Sequence, residues 1–286
     1  MEPSTLAEQL LFSTIRIETN VDSQKVGIGT GFLFSYKQEK SKYIFLVTNK
    51  HVVKNAKNAR FTFTQSKEKK PLIGHAHELT LNGFEEYCFG HPNKEIDVAI
   101  MPFVPILELI KKDQEIFYRN IPSTLIPLED KVKELDALED VIFIGYPEGI
   151  WDSKNKLPVI RKGITATPVQ IDYEGKKQFL IDAAVFPGSS GSPVFLYNTG
   201  SYSDKRGGLV MSSRYYLLGI VAESFVKTEE NLIKIRPIPT NQLISTSTQM
   251  LNLGIVFKSQ VIIETVESFI SEINGKDWKS VCPKNI

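Results

Sequence analysis

The chain has 286 residues, 34 Lys and Arg against 33 Asp and Glu, and 42% hydrophobic residues, the composition of an ordinary globular protein. A net charge of +1 gives no general pull toward nucleic acid or anionic lipid, so neither is expected as a partner. A chain of this length buries enough surface to be stable without disulfides or a structural metal, and the 2 cysteines, Cys88 and Cys282, are expected as free thiols.

The start, MEPSTLAEQLLF, has neither a basic n-region nor a long apolar stretch, and no later run nears the ~18 apolar residues that a membrane span needs. A soluble, cytoplasmic protein is the expectation. Residues 4–12 predict a short amphipathic helix capped by Ser4 or Thr5, with Leu6, Leu10 and Leu11 on one face. Six β-branched or aromatic runs follow at 14–18, 29–36, 43–49, 59–65, 77–82 and 97–103, separated by polar or Gly-containing turns. Residues 106–117 and 128–138 carry apolar residues at helical spacing and predict a helical connection over 106–138. Six more runs come next, at 141–147, 157–168, 177–185, 192–198, 215–224 and 232–239. Six short strands are enough to close on themselves, and closure removes exposed edges. The expected fold is therefore all-β: two six-stranded antiparallel barrels with a cleft between them, flanked by short N- and C-terminal helices. On this division residues 1–105 hold the N-terminal helix and first barrel, 139–250 the second barrel, and 251–286 a helical extension. Its amphipathic stretch 261–274 is expected to pack on the second barrel.

The most informative segment for chemistry is FPGSSGSPVF, residues 186–195. Pro187, Gly188, Gly191 and Pro193 surround Ser190 with turn formers, and an apolar strand follows. A tight turn that exposes a serine hydroxyl beside free backbone N–H groups, here those of Gly188 and Ser190, is what acyl transfer requires. The plain alternative is a Gly/Ser hairpin. A serine needs a base, and the 4 histidines (His51, His75, His77 and His91) all precede Ser190, which excludes the Ser, Asp, His order of α/β-hydrolases. An Asp, His, Ser order has only Asp22 to offer before His51. The order His, Asp, Ser survives: His51 stands where the apolar run YIFLV gives way to polar residues, and Asp97 opens DVAIMPF. His51 and Asp97 fall in the first strand set and Ser190 in the second, so a cleft between two barrels would collect them.

With these segments, the chain resembles the trypsin-fold (chymotrypsin-like) serine proteases, nearest in its strings to the high-temperature-requirement, Deg-type enzymes. VTNKHVV, DVAI and DAAVFPGSSGSPV match that family's three catalytic stretches, GTGFLF its strand before the histidine, and GYPEG and RPIPTNQL its second-barrel segments. The similarity runs over about residues 10–245. It implies Ser190 as nucleophile, His51 as general base and acid, Asp97 as the carboxylate that orients the imidazole, and Gly188 and Ser190 as oxyanion-hole donors. It also implies Ala183 and Ala184 near the base of the primary pocket, with Ala222, Glu223 and Ser224 on its wall and a small or medium apolar side chain as the guest. Ser189 stands where digestive enzymes carry an aspartate that pairs with a newly cleaved N-terminus, so no zymogen cleavage is expected. Ser192 replaces the usual second glycine, and nothing after residue 250 has the length of a PDZ domain.

Other signals are weaker. GIGTG (27–31) looks like a phosphate-cradling loop, but FLFSY after it predicts a strand where such loops need a helix. His75, His77, Cys88 and His91 fit no common zinc spacing, so neither metal nor cofactor is expected. Two functions remain: a serine endopeptidase acting on protein or peptide substrates, partner-gated in a stress or defence role, or a catalytically silent binding protein on the same fold.

Overall fold

Thr5 opens the fold with a reciprocal cap. The Glu8 N–H donates to Thr5 Oγ1 (3.2 Å), the Glu8 carboxylate accepts from the Thr5 N–H (3.0 Å), and α1 (Leu6–Leu10) starts there, with Leu10 in the core. The computed structural model describes residues 2–20, 26–39, 41–233 and 243–273, and only the backbone of 223–250 within them.

The first half contains β1 (Thr14–Asn20), β2 (Val26–Gln38), β3 (Ser41–Thr48), the one-turn helix α2 (Lys50–Val53), β4 (Asn58–Lys67), β5 (Lys70–Asn82), β6 (Phe89–Gly90) and β7 (Ala99–Pro102). Its sheet runs β5-β4-β1-β2-β3-β7-β6. Six of these strands are the predicted runs. The connection is less helical than its spacing predicts: α3 is Val104–Ile110 and α4 is Glu129–Glu134. Between them Ile116–Phe117 (β8) pairs with β4, and Ile121–Pro122 (β9) pairs with β2. The three apolar residues Ile116, Phe117 and Ile121 are buried against the sheet, and that packing overrides local helical preference.

The second half comprises β10 (Asp140–Gly145), β11 (Val159–Thr165), β12 (Gln178–Asp182), β13 (Pro193–Asn198), a small hairpin of β14 (Tyr202–Ser203) and β15 (Leu209–Val210), then β16 (Arg214–Ile233) and β17 (Leu243–Lys258). It closes into a six-stranded barrel in the order β10-β11-β12-β17-β16-β13. The fold is thus mostly β, a closed barrel beside a second β-sheet. One strand is corrected: the sixth barrel strand is 243–258, not 232–239, of which 234–239 lie outside the described residues. The barrel therefore reaches Lys258 rather than residue 250, and the C-terminal helix α5 is Gln260–Ile273. Cys282 lies outside the described residues.

Strand alternation feeds three cores. Leu33, Leu46, Ala99 and Met101 fill the inside of the first half, and Val141, Phe143, Val194 and Leu196 the inside of the barrel. The opposite faces of the same strands (Phe32, Phe34, Phe45, Val47, Ile142, Ile144 and Phe195) meet in a third core at the seam. Helix α5 covers this seam with Val261, Ile262, Val266, Phe269 and Ile273, rather than packing on the second barrel alone. Phe269 meets Phe45 edge-on, with ring centroids 5.7 Å apart.

Candidate active site

His51 is mounted where β3 ends. Asn49 is extended (φ −93°, ψ 152°) and precedes α2, whose Val52 and Val53 are buried in the first-half core, so the short helix is held rigidly and His51 projects from it with half its side chain exposed. Asp97 lies in the loop between β6 and β7. Two bonds tie that loop to the histidine's mount: Asn49 Nδ2–H donates to the Asp97 carbonyl (2.6 Å) and Lys50 Nζ to the Asn93 carbonyl (2.9 Å). Burial holds the Lys50 ammonium below its usual range, an effect that nearby Asp97 opposes. The Asp97 carboxylate takes the His51 backbone N–H on Oδ1 (3.0 Å) and lies 2.5 Å from His51 Nδ1 through Oδ2. A carboxylate only accepts, so Nδ1 carries a proton and, in the neutral imidazole, Nε2 is the nitrogen left to accept one.

Ser190 sits in the loop from β12 to β13. Five consecutive carbonyls of this loop each accept a hydrogen bond. Phe186 accepts from Ser189 N–H (3.0 Å), Pro187 from Glu148 N–H, Gly188 from Thr30 Oγ1 (2.9 Å), Ser189 from Ser192 N–H (2.9 Å), and Ser190 from Thr30 N–H (2.9 Å). Gly191 N–H donates to Val221 O (2.8 Å). The N–H groups of Gly188 and Ser190 have no acceptor among the described residues. Gly188 and Gly191 adopt φ +87° and +89°, and a Cβ at either would collide, with Tyr146 O at 2.5 Å and Thr30 O at 1.8 Å. The loop is therefore rigid, with the Gly188 and Ser190 N–H groups among the donors left over. Such an arrangement suits an oxyanion. The Ser190 hydroxyl itself donates to the Ala222 carbonyl (2.9 Å).

The family model described as "Trypsin-like peptidase domain" matches residues 29–202, more than half of the chain. The chain belongs to this family. No curated protein matches it. Among solved structures it is similar to the active form of the Rv3671c protease from M. tuberculosis, at 15% identity over 93% of this chain and 87% of that one, TM-score 0.45. Deg5 is similar at 14% identity over 76% and 81%, TM-score 0.43. An inactivated protease paralogue from the scabies mite, S-I1, is similar at 13% identity over 94% and 97%, TM-score 0.45.

In this trypsin-like peptidase domain His51, Asp97 and Ser190 face one cleft of about 700 Å³. Val185, Phe186, Pro187, Ala222, Ile255 and Phe257 give it apolar walls, and Glu95, Glu174 and Lys176 add charge toward the Asp97 side. Of the residues that the resemblance assigns to the primary pocket, Ala222 lines this cleft. Ala183 is buried in the barrel core, and Ala184 is half-buried outside the lining. Glu223 and Ser224 are in β16 opposite Ile255 and Gly254, and their side chains lie outside the described residues. The hydroxyls of Ser189 and Ser192 are buried without a partner among the described residues.

The remaining sequence signals fall elsewhere. The GIGTG glycines lie in β2, where Gly29 and Gly31 make room for Val52 and Leu46. His77 is 3.7 Å from Asp113, and buried His91 is 3.3 Å from Glu264 on α5 while its Nδ1 accepts the Asn93 N–H (3.0 Å). Two contributors carry no local signal of their role: Asn49, within VTNKHVV, holds the Asp97 loop, and Thr30, within the strand run 29–36, holds the Ser190 loop.

Proposed function

We propose that the chain is a serine endopeptidase with His51, Asp97 and Ser190 as its catalytic groups. The observation that carries this reading is the combination of the His51–Asp97 contact with a rigid serine loop in which the N–H groups of Gly188 and Ser190 are free. Ser190 Oγ attacks the scissile carbonyl while His51 Nε2 takes its proton, and Asp97 stabilises the imidazolium. The tetrahedral oxyanion is met by the two N–H groups. His51 then gives the proton to the leaving amine, and water repeats the cycle on the acyl-enzyme. The apolar cleft walls favour a small or medium apolar side chain before the scissile bond. Partner gating and an intracellular setting belong to the same proposal: Cys88 is a free thiol, as suits a reducing compartment, and a protease there needs restraint.

One observation favours the second reading, a silent or latent binding protein: the Ser190 hydroxyl bonds Ala222, not His51. Intact-mass detection of a fluorophosphonate adduct on the wild type beside Ser190→Ala separates the two. One adduct on the wild type alone supports the peptidase. Casein hydrolysis that Ser190→Ala retains overturns it, and no adduct with no hydrolysis in the free chain supports the silent or latent reading.

A further inference from the structure

Thr30 makes four hydrogen bonds in one place, and three of them reach the other half of the molecule. Its N–H donates to the Ser190 carbonyl (2.9 Å) and its hydroxyl to the Gly188 carbonyl (2.9 Å). The same hydroxyl oxygen accepts the Tyr146 N–H (3.1 Å), and the Thr30 carbonyl accepts from Thr48 Oγ1 (2.8 Å). Thr30 is fully buried in β2, in the first half, while Gly188, Ser190 and Tyr146 belong to the second. Thr48 is the last residue of β3, two before the helix turn's Lys50 and three before His51.

We propose that Thr30 is the positioning residue of the oxyanion loop, adding to the loop's own Ser189–Phe186 and Ser192–Ser189 bonds a hold from the neighbouring sheet that fixes the Gly188 and Ser190 carbonyls and with them the N–H group between. This rests on the peptidase reading for its catalytic meaning. A peptide unit is planar, so fixing a carbonyl fixes the unit around it. The two carbonyls that Thr30 holds bracket the unit that carries the Ser190 N–H. The loop's own buried hydroxyl, Ser189 Oγ, has no partner among the described residues and supplies no such anchor. The bonds also make the loop's order depend on docking of the two halves, because both donors, the Thr30 N–H and hydroxyl, stand on one and both acceptors on the other. Losing the hydroxyl orphans the Gly188 carbonyl and the Tyr146 N–H together, both in the interior.

Thr30→Val keeps the shape and removes the hydroxyl, and Thr30→Ser keeps the hydroxyl. In full-length protein, hydrogen exchange followed by mass spectrometry over residues 186–192 is expected to speed up by at least about tenfold in Thr30→Val and to return toward wild type in Thr30→Ser, as local opening of one unit would give. Fluorophosphonate labelling of Ser190 and kcat on a peptide substrate should fall by about 100-fold in Thr30→Val, on the scale of a lost oxyanion donor, with KM within about threefold. Carbethoxylation of His51 should keep its wild-type rate, which a general loosening of the fold would not allow. Unchanged exchange over 186–192 in Thr30→Val overturns the inference. A wild type that neither labels nor hydrolyses peptide supports the silent or latent reading of the site, and the exchange result then still decides whether Thr30 orders the loop.

Discussion

The hydroxyl of Ser190 is bonded to the carbonyl of Ala222 at 2.9 Å, and Ala222 is the residue at which β16 slips register against β17, between Val221 and Glu223. A bulge frees a carbonyl from the ladder and re-aims it, here toward the serine. To act, Ser190 must turn its hydroxyl from Ala222 to His51 Nε2. Replacing the serine removes one exchangeable bond and no packing, so Ser190→Ala should lower turnover on the order of 10⁴-fold to 10⁶-fold while the melting temperature stays near wild type. Steady-state hydrolysis and a thermal melt measure both. A rate loss below about tenfold would remove Ser190 as the nucleophile.

Asp97 gives both carboxylate oxygens to one histidine, to the backbone N–H and to Nδ1. Asp97→Asn preserves the shape but presents an amide, which favours the wrong imidazole tautomer. Turnover should fall by about 10⁴-fold, with substrate affinity little changed. A loss confined to KM would show that Asp97 shapes the cleft rather than the base.

Much of this arrangement was legible because the strands are buried on both faces. YIFLV and VIFIG read as unbroken apolar runs since Phe45 and Ile142 face the seam while Leu46 and Val141 face inward. The order of His51, Asp97 and Ser190 was legible for a different reason, as each stands at the margin of such a run. Residues 251–258 were not legible as a strand because Asn252 (φ 58°) and Gly254 interrupt the pattern where the β16–β17 pairing slips register. Thr30 and Asn49 were missed because their roles are hydrogen bonds to backbone more than 40 residues away, which no local spacing records. The apolar walls at Val185 and Ile255 depend in the same way on how distant strands meet.

Gly191 has φ +89°, and a Cβ there would sit 1.8 Å from the Thr30 carbonyl oxygen and 2.8 Å from Thr48 Oγ1. The obstacle is backbone of a central strand, which has nowhere to go. Gly191→Ala is therefore expected to destabilise the fold by about 3 kcal/mol or more, combining strain at a left-handed position with overpacking, and to abolish fluorophosphonate labelling in whatever folds. Urea unfolding gives the first number. A variant of wild-type stability that labels normally would contradict the loop geometry.

At the far side of the barrel, Arg214 Nη2 donates to Glu139 Oε2 at 2.6 Å, with both side chains buried, and the guanidinium also bonds Asn198 (3.0 Å) and lies over the Tyr202 ring. Removing one ion of a buried pair strands the other. Glu139→Ala should cost about 3–5 kcal/mol, whereas a paired apolar replacement of both residues should cost far less. Denaturant titration of the single and double variants separates the two effects.

Cys88 packs against the first-half core, and desolvation there, reinforced by Glu85, pushes its thiol well above the usual range. The folded state therefore keeps its proton where the unfolded chain, with a thiol near about 8.5, gives it up. Below that pH both states are protonated and Cys88 contributes no pH dependence. Above it the native state binds more protons than the unfolded one, so stability falls with a slope of up to about 1.4 kcal/mol per pH unit. The measurement is urea unfolding from pH 7 to 10 on the wild type and on Cys88→Ala, whose difference isolates this group from other alkaline titrations. The wild type should lose stability relative to the variant above pH 8.5. Mass spectrometry of the Cys88 peptide after iodoacetamide at pH 8 should also show little alkylation in the native protein and full alkylation in guanidinium. Rapid native alkylation, or parallel pH curves for the two proteins, would mean that the thiol is solvated after all.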